Sequence, residues 1–523
     1  MIGWCGTRVL AVLALAGCAG VAGAADPQPA VVVPDLAVPP LVEAVRTGDA
    51  TAARALLAAR PAVDVRRTSA DGTTALHWAV YHDDVPLVEA LIARGADVKA
   101  VNQYGATPMS EAAVTGDVRV LKDLLAAGAD VESPNADGQT ALMVVARTSN
   151  VEAAHLLLAH GAHVNAHERW REQTPLMWAA AEAQPAMVRL LLSAGAQADA
   201  RSLVNDWQRQ VTVEPRMQSR PSGGFTPLLY AARRGCLECA RLLLAAGAGK
   251  DLTDPDGVSP LLLATLNFNF DIAALLIQKH ANVDQWDLWG RSALYAAVDL
   301  DTLPVGGRAD RPSPDRTTSL DLIGLLLKAG ANPNLQLKLM PPYRSLRDDR
   351  GADSLLGAGA TPLLRAAKAG DLPAMKLLLG AGAKPDLPTP SGVTPLLAAA
   401  GVGSSSIDTR GRYKTEAQAV DAVNLLLTHG VDVNQRDGSG QTALFGAAQW
   451  GWNDLVRTLA AHSADLLAKD ARGRTAADVA LGSAGASGRA NADPHPETAA
   501  LLHRLMAGAK VPVAANAPVS GVP

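Results

Sequence analysis

The sequence predicts an all-α solenoid of stacked helix pairs, and three observations lead there. Stretches that open on Thr or Ser recur at Thr74, Thr107, Thr140, Thr174, Thr226, Ser259, Ser292, Thr361, Thr394, Thr442 and Thr475, and six of the ten gaps between them are 33 residues. Each opening is followed by an Ala-rich segment, a turn, a Leu-rich apolar run and, in most units, a Gly. Composition agrees: 48% of the residues are hydrophobic but only 4% aromatic, so Ala and Leu must do the packing. A chain built this way has no single core, because each unit buries its face against its neighbours.

Taken from the N-terminus, the first segment reads as an export signal. Arg8 precedes an apolar run from Val9 to Ala16 that is too short to remain in a membrane as a span. Two processing sites compete within residues 1–24. Leu15-Ala16-Gly17-Cys18 resembles the bacterial lipobox, which implies cleavage before Cys18 and lipidation of that residue. Ala22-Gly23-Ala24 offers cleavage after Ala24 and a soluble product. Residues 25–40 carry five prolines and read as an extended linker. Leu41 to Val65 supplies a helix pair without the Thr opening, so residues 41–70 are assigned as the N-terminal capping unit. Repeats then fill 71–200.

The unit from Phe225 to Ala264 shows the local logic most clearly. Thr226 is a good helix N-cap, and Pro227 suits the first helical position, where its missing N–H costs nothing. A turn at Gly235 leads to a second helix with the run Leu242 to Leu244, closed by Gly247 as a left-handed residue. Thr226-Pro227-Leu228 is answered 33 residues on by Ser259-Pro260-Leu261. This pattern resembles the ankyrin repeat, T-P-L-H-x-A at a period of 33. The resemblance covers about residues 36–510 and implies about twelve helix-turn-helix units joined by hairpin fingers, with partners bound on the concave side formed by fingers and first helices. His280 and Ser463 stand where the closing Gly belongs, so both are expected in a strained left-handed conformation.

The unequal gaps place the insertions. Residues 201–223 and 335–359 form two long fingers, the first with Trp207, Arg209, Arg216 and Arg220, the second with Tyr343, Arg344, Arg347 and Arg350. Repeats occupy 224–334, with an insertion between helices at about 301–318, and resume over 360–510 with a C-terminal cap. Another between-helix insertion precedes Gly430, and residues 511–523 read as a disordered tail.

Within the family pattern, the fourth residue after each opening points to the concave side. Here that set includes Trp78, Glu111, Trp178, Tyr230, Leu263, Ala296, Arg365 and Gly446, while Tyr81, Tyr104, Trp170, Trp286 and Trp289 add ring side chains near helix ends and in fingers. Together with Trp207, Tyr343 and Arg344 these are the candidate partner-binding residues, since Trp, Tyr and Arg dominate interface energetics. The opposing reading is that each ring fills a gap between neighbouring units.

Other chemistry finds less support. A net charge of −4 without a basic run gives no nucleic-acid footprint. Cys236 and Cys239 form C-x-x-C with no second pair; the register reads them as packed thiols, and an exported setting leaves a local disulfide as the alternative. His155, His160, His163 and His167 lie on a helix, its end and a finger, so their side chains should diverge rather than bind metal. No nucleophile elbow, phosphate loop or HExxH pair is present. The expectation is therefore a monomeric, non-enzymatic protein-binding module without cofactor or metal. A bacterial periplasm or envelope membrane surface is the expected site. The alternatives are a lipid-anchored scaffold of envelope complexes and, in another class, an enzyme built from the inserted loops.

Overall fold

A computed structural model describes residues 38–205, 208–210, 217–219, 221–302, 315–341, 354–404, 414–482 and 494–509. The export signal, nearly all of the linker and residues 510–523 lie outside this set, as do the side chains of residues 206–220 and the segment 342–353.

Among the described residues the chain forms twenty-four α-helices in twelve pairs. They are α1 (Pro40–Arg46) and α2 (Ala50–Ala58), α3 (Ala75–Tyr81) and α4 (Val85–Ala93), α5 (Pro108–Thr115) and α6 (Val118–Ala126). Next come α7 (Ala141–Ala146) and α8 (Val151–Ala159), α9 (Pro175–Ala181) and α10 (Pro185–Ser193), α11 (Pro227–Arg234) and α12 (Leu237–Ala245). The stack continues with α13 (Pro260–Leu266) and α14 (Phe270–Gln278), α15 (Ala293–Asp301) and α16 (Ser319–Lys328), α17 (Pro362–Ala369) and α18 (Leu372–Gly380). It ends with α19 (Pro395–Ala399) and α20 (Glu416–Thr428), α21 (Ala443–Trp450) and α22 (Asn453–Ala461), α23 (Ala476–Ala480) and α24 (Pro496–Ala509). First helices pack on first helices in order from α1 to α23, and from α4 onward second helices pack on second helices through to α24. Most of the buried Ala and Leu side chains consequently form one apolar spine along the stack, with a smaller cluster of Leu229, Val258, Leu262, Leu263 and Ala296 beside it.

The eleven predicted openings all sit at N-cap positions with extended backbone. In all but Thr442 the hydroxyl accepts an N–H from the first turn, each such cap being worth about 1 kcal/mol. His77 adds a reciprocal bond to Thr74 and reaches Ala106 O with its other ring nitrogen at 3.1 Å. Burial lowers its pKa and keeps the ring neutral.

The second helices end as anticipated. Gly247 has φ +88°, while His280 and Ser463 are forced to +57° and +66°. A Cβ built on Gly247 would meet nothing within 4 Å, so this position demands glycine for its backbone angle and not for space. His280→Gly and Ser463→Gly should each therefore stabilise the protein, by about 1 kcal/mol, read as a rise in urea midpoint. An unchanged or lower midpoint in both would contradict the strain argument. Asp83, Ala183 and Phe268 are also left-handed, at the turn between the two helices of their units. The sequence reading did not single out these three.

A side chain at each finger base organises the loop. Asn102 Oδ1 accepts from Tyr104 N and Ala106 N, and Asn135, Asp254, Asp287, Asp437 and Asp470 do the same in their fingers. The finger preceding Thr174 is one residue longer. There the buried Glu168 replaces the shorter acid, accepting from Trp170 N, Arg171 N and Gln173 N, and the chain passes through Glu172 at φ +50°. Single backbone bonds tie several neighbouring fingers, such as Gln103 N to Asp71 O and Leu203 N to Arg171 O.

The first long finger contains two antiparallel strand pairs, Val204–Asn205 (β1) with Ser222–Gly223 (β4) and Gln208–Gln210 (β2) with Met217–Ser219 (β3). Its base is closed by Ser202 N to Phe225 O and Phe225 N to Ser202 Oγ. Of the second long finger, Leu355 and Leu356 are buried, in a short 3-10 turn over Ser354–Leu356.

Candidate functional site

A concavity lies where α7, α9 and α11 meet the base of the first long finger. It is a cleft of about 560 Å³. Its floor is aromatic: Trp178 from α9, Tyr230 from α11 and Phe225 just before it. The register explains this floor, because Trp178 and Tyr230 are both fourth residues after a capping Thr and stand on neighbouring first helices. Phe225 and Tyr230 meet edge to face at 5.3 Å. Gln173 Nε2 donates to the Tyr230 hydroxyl, which fixes the ring against the preceding finger.

Three arginines line the same cleft. Arg147, at the end of α7, stacks over the Trp178 ring at 4.9 Å. Arg233, one turn along α11 from Tyr230, lies over both Phe225 and Tyr230, at 5.1 and 5.2 Å. Arg171 comes from the finger before α9. Glu182, Asp254 and Asp256 contribute carboxylates, of which Asp254 is engaged in shaping its finger. Trp178 Nε1 is a buried donor without an acceptor. An aromatic floor with arginines at its edge is the surface composition that favours recognition of another chain.

The other candidate rings do not join this cleft, so the aromatic residues do not form one open face. Trp78, Tyr81 and His82 make a separate cluster near the N-terminal end, with Trp78 and Tyr81 edge to face at 5.7 Å. Tyr104 and Trp170 are exposed on fingers, at 65% and 67%, and Trp170 Nε1 donates to Asp137. Trp286 is half covered by Lys338, whose Nζ lies 3.4 Å from the ring centre, whereas Trp289 is buried beneath Arg291. Trp450 and Trp452 stack on each other near the other end of the chain. Trp207, Tyr343 and Arg344 have side chains outside the described residues.

The fourth-residue rule also needs correcting for exposure. Trp178 and Tyr230 are 9% and 7% exposed, so they present edges to the cleft and not whole rings. Further along, Leu263, Ala296, Arg365 and Gly446 are packed inside the stack. Arg365 is 1% exposed and its Nε contacts Asp299 Oδ1 at 2.5 Å. Glu111, at the same repeat position, is half-buried, and burial raises its carboxyl pKa.

The C-x-x-C pair is a further correction. Cys236 and Cys239 are joined as a disulfide. Cys236 is the N-cap of α12 and Cys239 lies in its first turn, so the helix start brings their Cα atoms to 5.2 Å, within disulfide reach. His155, His160, His163 and His167 are all exposed, and His163 faces Glu132 at 3.4 Å. Among the described residues no three His, Cys, Asp or Glu side chains gather as a metal site.

These features define a helical-repeat scaffold whose fingers and first helices present an aromatic cleft. Family models for "Ankyrin repeats (3 copies)" match residues 41–135, 109–202, 228–305 and 414–492, and "Ankyrin repeat" matches 358–390. The chain belongs to the ankyrin repeat family. Among curated proteins it is similar to the B-cell lymphoma 3 protein homolog of Mus musculus, 34% identical over 161 residues, covering 27% of this chain and 36% of that one. It is also similar to the Homo sapiens B-cell lymphoma 3 protein, 28% identical over 210 residues (36% and 42% of the two chains). The putative palmitoyltransferase ZDHHC13 of Danio rerio is 26% identical over 254 residues, covering 45% and 34%. The chain thus spans less than half the length of each of these relatives. Among solved structures, the human ASB11 ankyrin repeat domain matches at 27% identity and a TM-score of 0.35, covering 43% of this chain and 91% of that one. The ankyrin repeat domain of Bcl-3 matches at 24% identity and 0.36, covering 43% and 94%.

Proposed function

We propose that this protein is a non-enzymatic recognition module of the bacterial cell envelope, binding a protein partner at the cleft between α7, α9, α11 and the first long finger. Ankyrin repeats are general protein-protein interaction modules, and this chain belongs to that family. The observation that carries the choice of site is the convergence of Trp178, Phe225 and Tyr230 with Arg147, Arg171 and Arg233 in one cleft. Trp170, exposed on the finger that also supplies Arg171, extends the contact surface beyond it, and Tyr104 stands exposed two fingers further away. Ankyrin repeat proteins are typically non-enzymatic interaction modules, which supports binding without turnover.

The envelope location rests on the export signal, with Cys18 as the lipid anchor, and draws support from the Cys236–Cys239 bond, since disulfides persist in oxidising compartments. Attached through Cys18, the same module would act as a scaffold for envelope complexes.

Arg147 and Arg233 are exposed, so they can be changed without opening the stack. Arg147→Glu with Arg233→Glu should abolish co-purification of the dominant partner of the mature chain while leaving helicity and the thermal midpoint unchanged. A partner complex that survives this double variant with wild-type affinity would remove the cleft from the interface. Cys18→Ala should release the protein from membranes into the soluble periplasmic fraction; continued membrane attachment would rule out the lipid anchor.

A further inference from the structure

Along the stack this protein covers most of its tryptophans with its own cations. Arg147 lies over Trp178, Lys338 over Trp286, Arg291 over Trp289 and Lys414 over Trp452. Trp170 is exposed and donates to Asp137, and Trp450 stacks on Trp452. Trp78, half-buried on α3, is the exception: its ring neighbours are Tyr81 and His82, and among the described residues no lysine or arginine lies over it. The residue at the matching repeat position on the next first helix is a carboxylate, Glu111. Both residues follow their capping Thr by four, and α3 and α5 pack directly on each other. Packed helices lie about 8–10 Å apart, so Trp78 and Glu111 stand side by side.

Glu111 supplies a second observation. It is half-buried, and among the described residues its carboxylate makes no hydrogen bond or ion pair. Burial raises its pKa with no donor or cation to offset the effect, whereas Asp315, also raised by burial, accepts from Asp271 N. A carboxylate taken from water without a partner is costly, and proteins otherwise pair such groups. The neighbouring charges are committed elsewhere. Arg46 is held by Glu43, and Arg147 on α7 is turned onto Trp178. On the fingers, Asp71 accepts from Ser69 and Thr73 N, and Asp137 accepts from Trp170 Nε1. A bare ring and an unpaired carboxylate thus occupy adjacent positions, and both attract a cation.

We infer that the surface between α3 and α5 takes a basic side chain, arginine or lysine, of the protein partner, its cationic head set between the Trp78 ring and the Glu111 carboxylate. This rests on the protein-binding reading above and extends that surface from the cleft toward the N-terminal end of the stack. Charge complementarity selects the occupant. The face of a tryptophan attracts a cation, and a carboxylate completes the pair through charge-assisted hydrogen bonds. Val114, one turn along α5 and 69% exposed, and the half-buried Val144 on α7 give the aliphatic stem of that side chain an apolar bed. A neutral or acidic side chain seated here would strip water from Glu111 without pairing it.

The test uses the full mature chain, labelled with ¹⁵N at tryptophan, with the Trp78 indole signal assigned by its loss in Trp78→Phe. The probe is a blocked tripeptide, acetylated and amidated, with arginine between two alanines; the control carries citrulline, which keeps the shape and lacks the charge. The arginine peptide should move the Trp78 signal saturably, with affinity falling severalfold from about 50 mM to about 500 mM salt. The citrulline peptide should leave the signal in place. Glu111→Gln should weaken the arginine peptide about tenfold. The same variant should keep or raise the thermal midpoint, because the carboxylate has no partner inside the protein to lose. No movement with the arginine peptide, equal movement with citrulline, or a lowered midpoint in Glu111→Gln overturns the proposal. Tighter binding of tetramethylammonium than of the arginine peptide overturns it in favour of a small cation. A dimer of this chain that Glu111→Gln dissolves overturns it in favour of a second copy. If the peptide binds but partner capture ignores Glu111→Gln and the Arg147, Arg233 double variant alike, the cation site stands and the protein-binding reading falls. If capture depends on Arg147 and Arg233 but not on Glu111, that reading stands and the basic side chain at Trp78 falls.

Discussion

Arg365→Ala should lower the unfolding free energy of the repeats around α17 by about 3–5 kcal/mol. Arg365 is 1% exposed inside the stack, and its partner Asp299 at the end of α15 is 20% exposed. Removing the cation alone leaves a largely covered carboxylate without its closest positive charge and opens a cavity where a long side chain lay. Water that reaches Asp299 softens the first penalty, so the lower half of the range is expected. Replacing both partners by apolar side chains of similar volume, Arg365→Met with Asp299→Leu, should restore much of the loss, because the charge that needed pairing is gone. Urea unfolding of the wild type, both single variants and the double variant gives the coupling energy. A double variant that loses the sum of the two single losses would show that packing, and not the ion pair, matters here. Because each unit contacts only its neighbours, hydrogen exchange should show the damage in α15 and α17 first.

Gly446→Ala is the second large effect, with an expected loss of about 2–3 kcal/mol. Glycine inside a helix normally costs about 1 kcal/mol against alanine, so the usual expectation is a gain. Here a Cβ would lie 2.4 Å from Ala400 O and 2.8 Å from Val402 N. Both are backbone atoms of the turn after α19, which cannot swing aside as a side chain can. The clash must therefore push α21 away from α19. Gly324 in α16 is the matched control, since a Cβ there meets nothing within 4 Å. Gly324→Ala should stabilise by about 0.5–1 kcal/mol. If the two substitutions move the unfolding midpoint in the same direction, close approach is not the reason for glycine at 446.

The fold was legible because its rules are local. A Thr or Ser followed by Pro or Ala announces a cap and a first turn, and at Thr226 and Ser259 both rules act within a few residues. The strain at His280 and Ser463 could be read by register, because the repeat says which position must be left-handed. Asp83, Ala183 and Phe268 escaped since their position varies more in residue type from unit to unit. The side chains at the finger bases, such as Asn102, Asp254 and Asp470, organise their loops through two backbone bonds that the sequence reading did not single out. Glu168 shows why: its role depends on an extra residue that only a longer side chain can span.

The candidate site was legible in part. Register placed Trp178 and Tyr230 on adjacent first helices and gave both the same orientation. It could not show that Phe225, Arg147 and Arg233 would close over them, because those contacts join residues from neighbouring units and from a finger base. Nor could it show Arg365 buried against Asp299, 66 residues away in sequence.

By itself, then, the sequence determined the helix pairs, their caps and their left-handed ends. Each follows from interactions within a few residues, repeated at a constant spacing. Only the tertiary structure decided which aromatic rings are covered, which arginines find carboxylates, and that Cys236 and Cys239 join. Those outcomes depend on distances between side chains on different elements, and no period in the sequence encodes them. The closing of Arg147 and Arg233 over Trp178, Phe225 and Tyr230 is one of those outcomes.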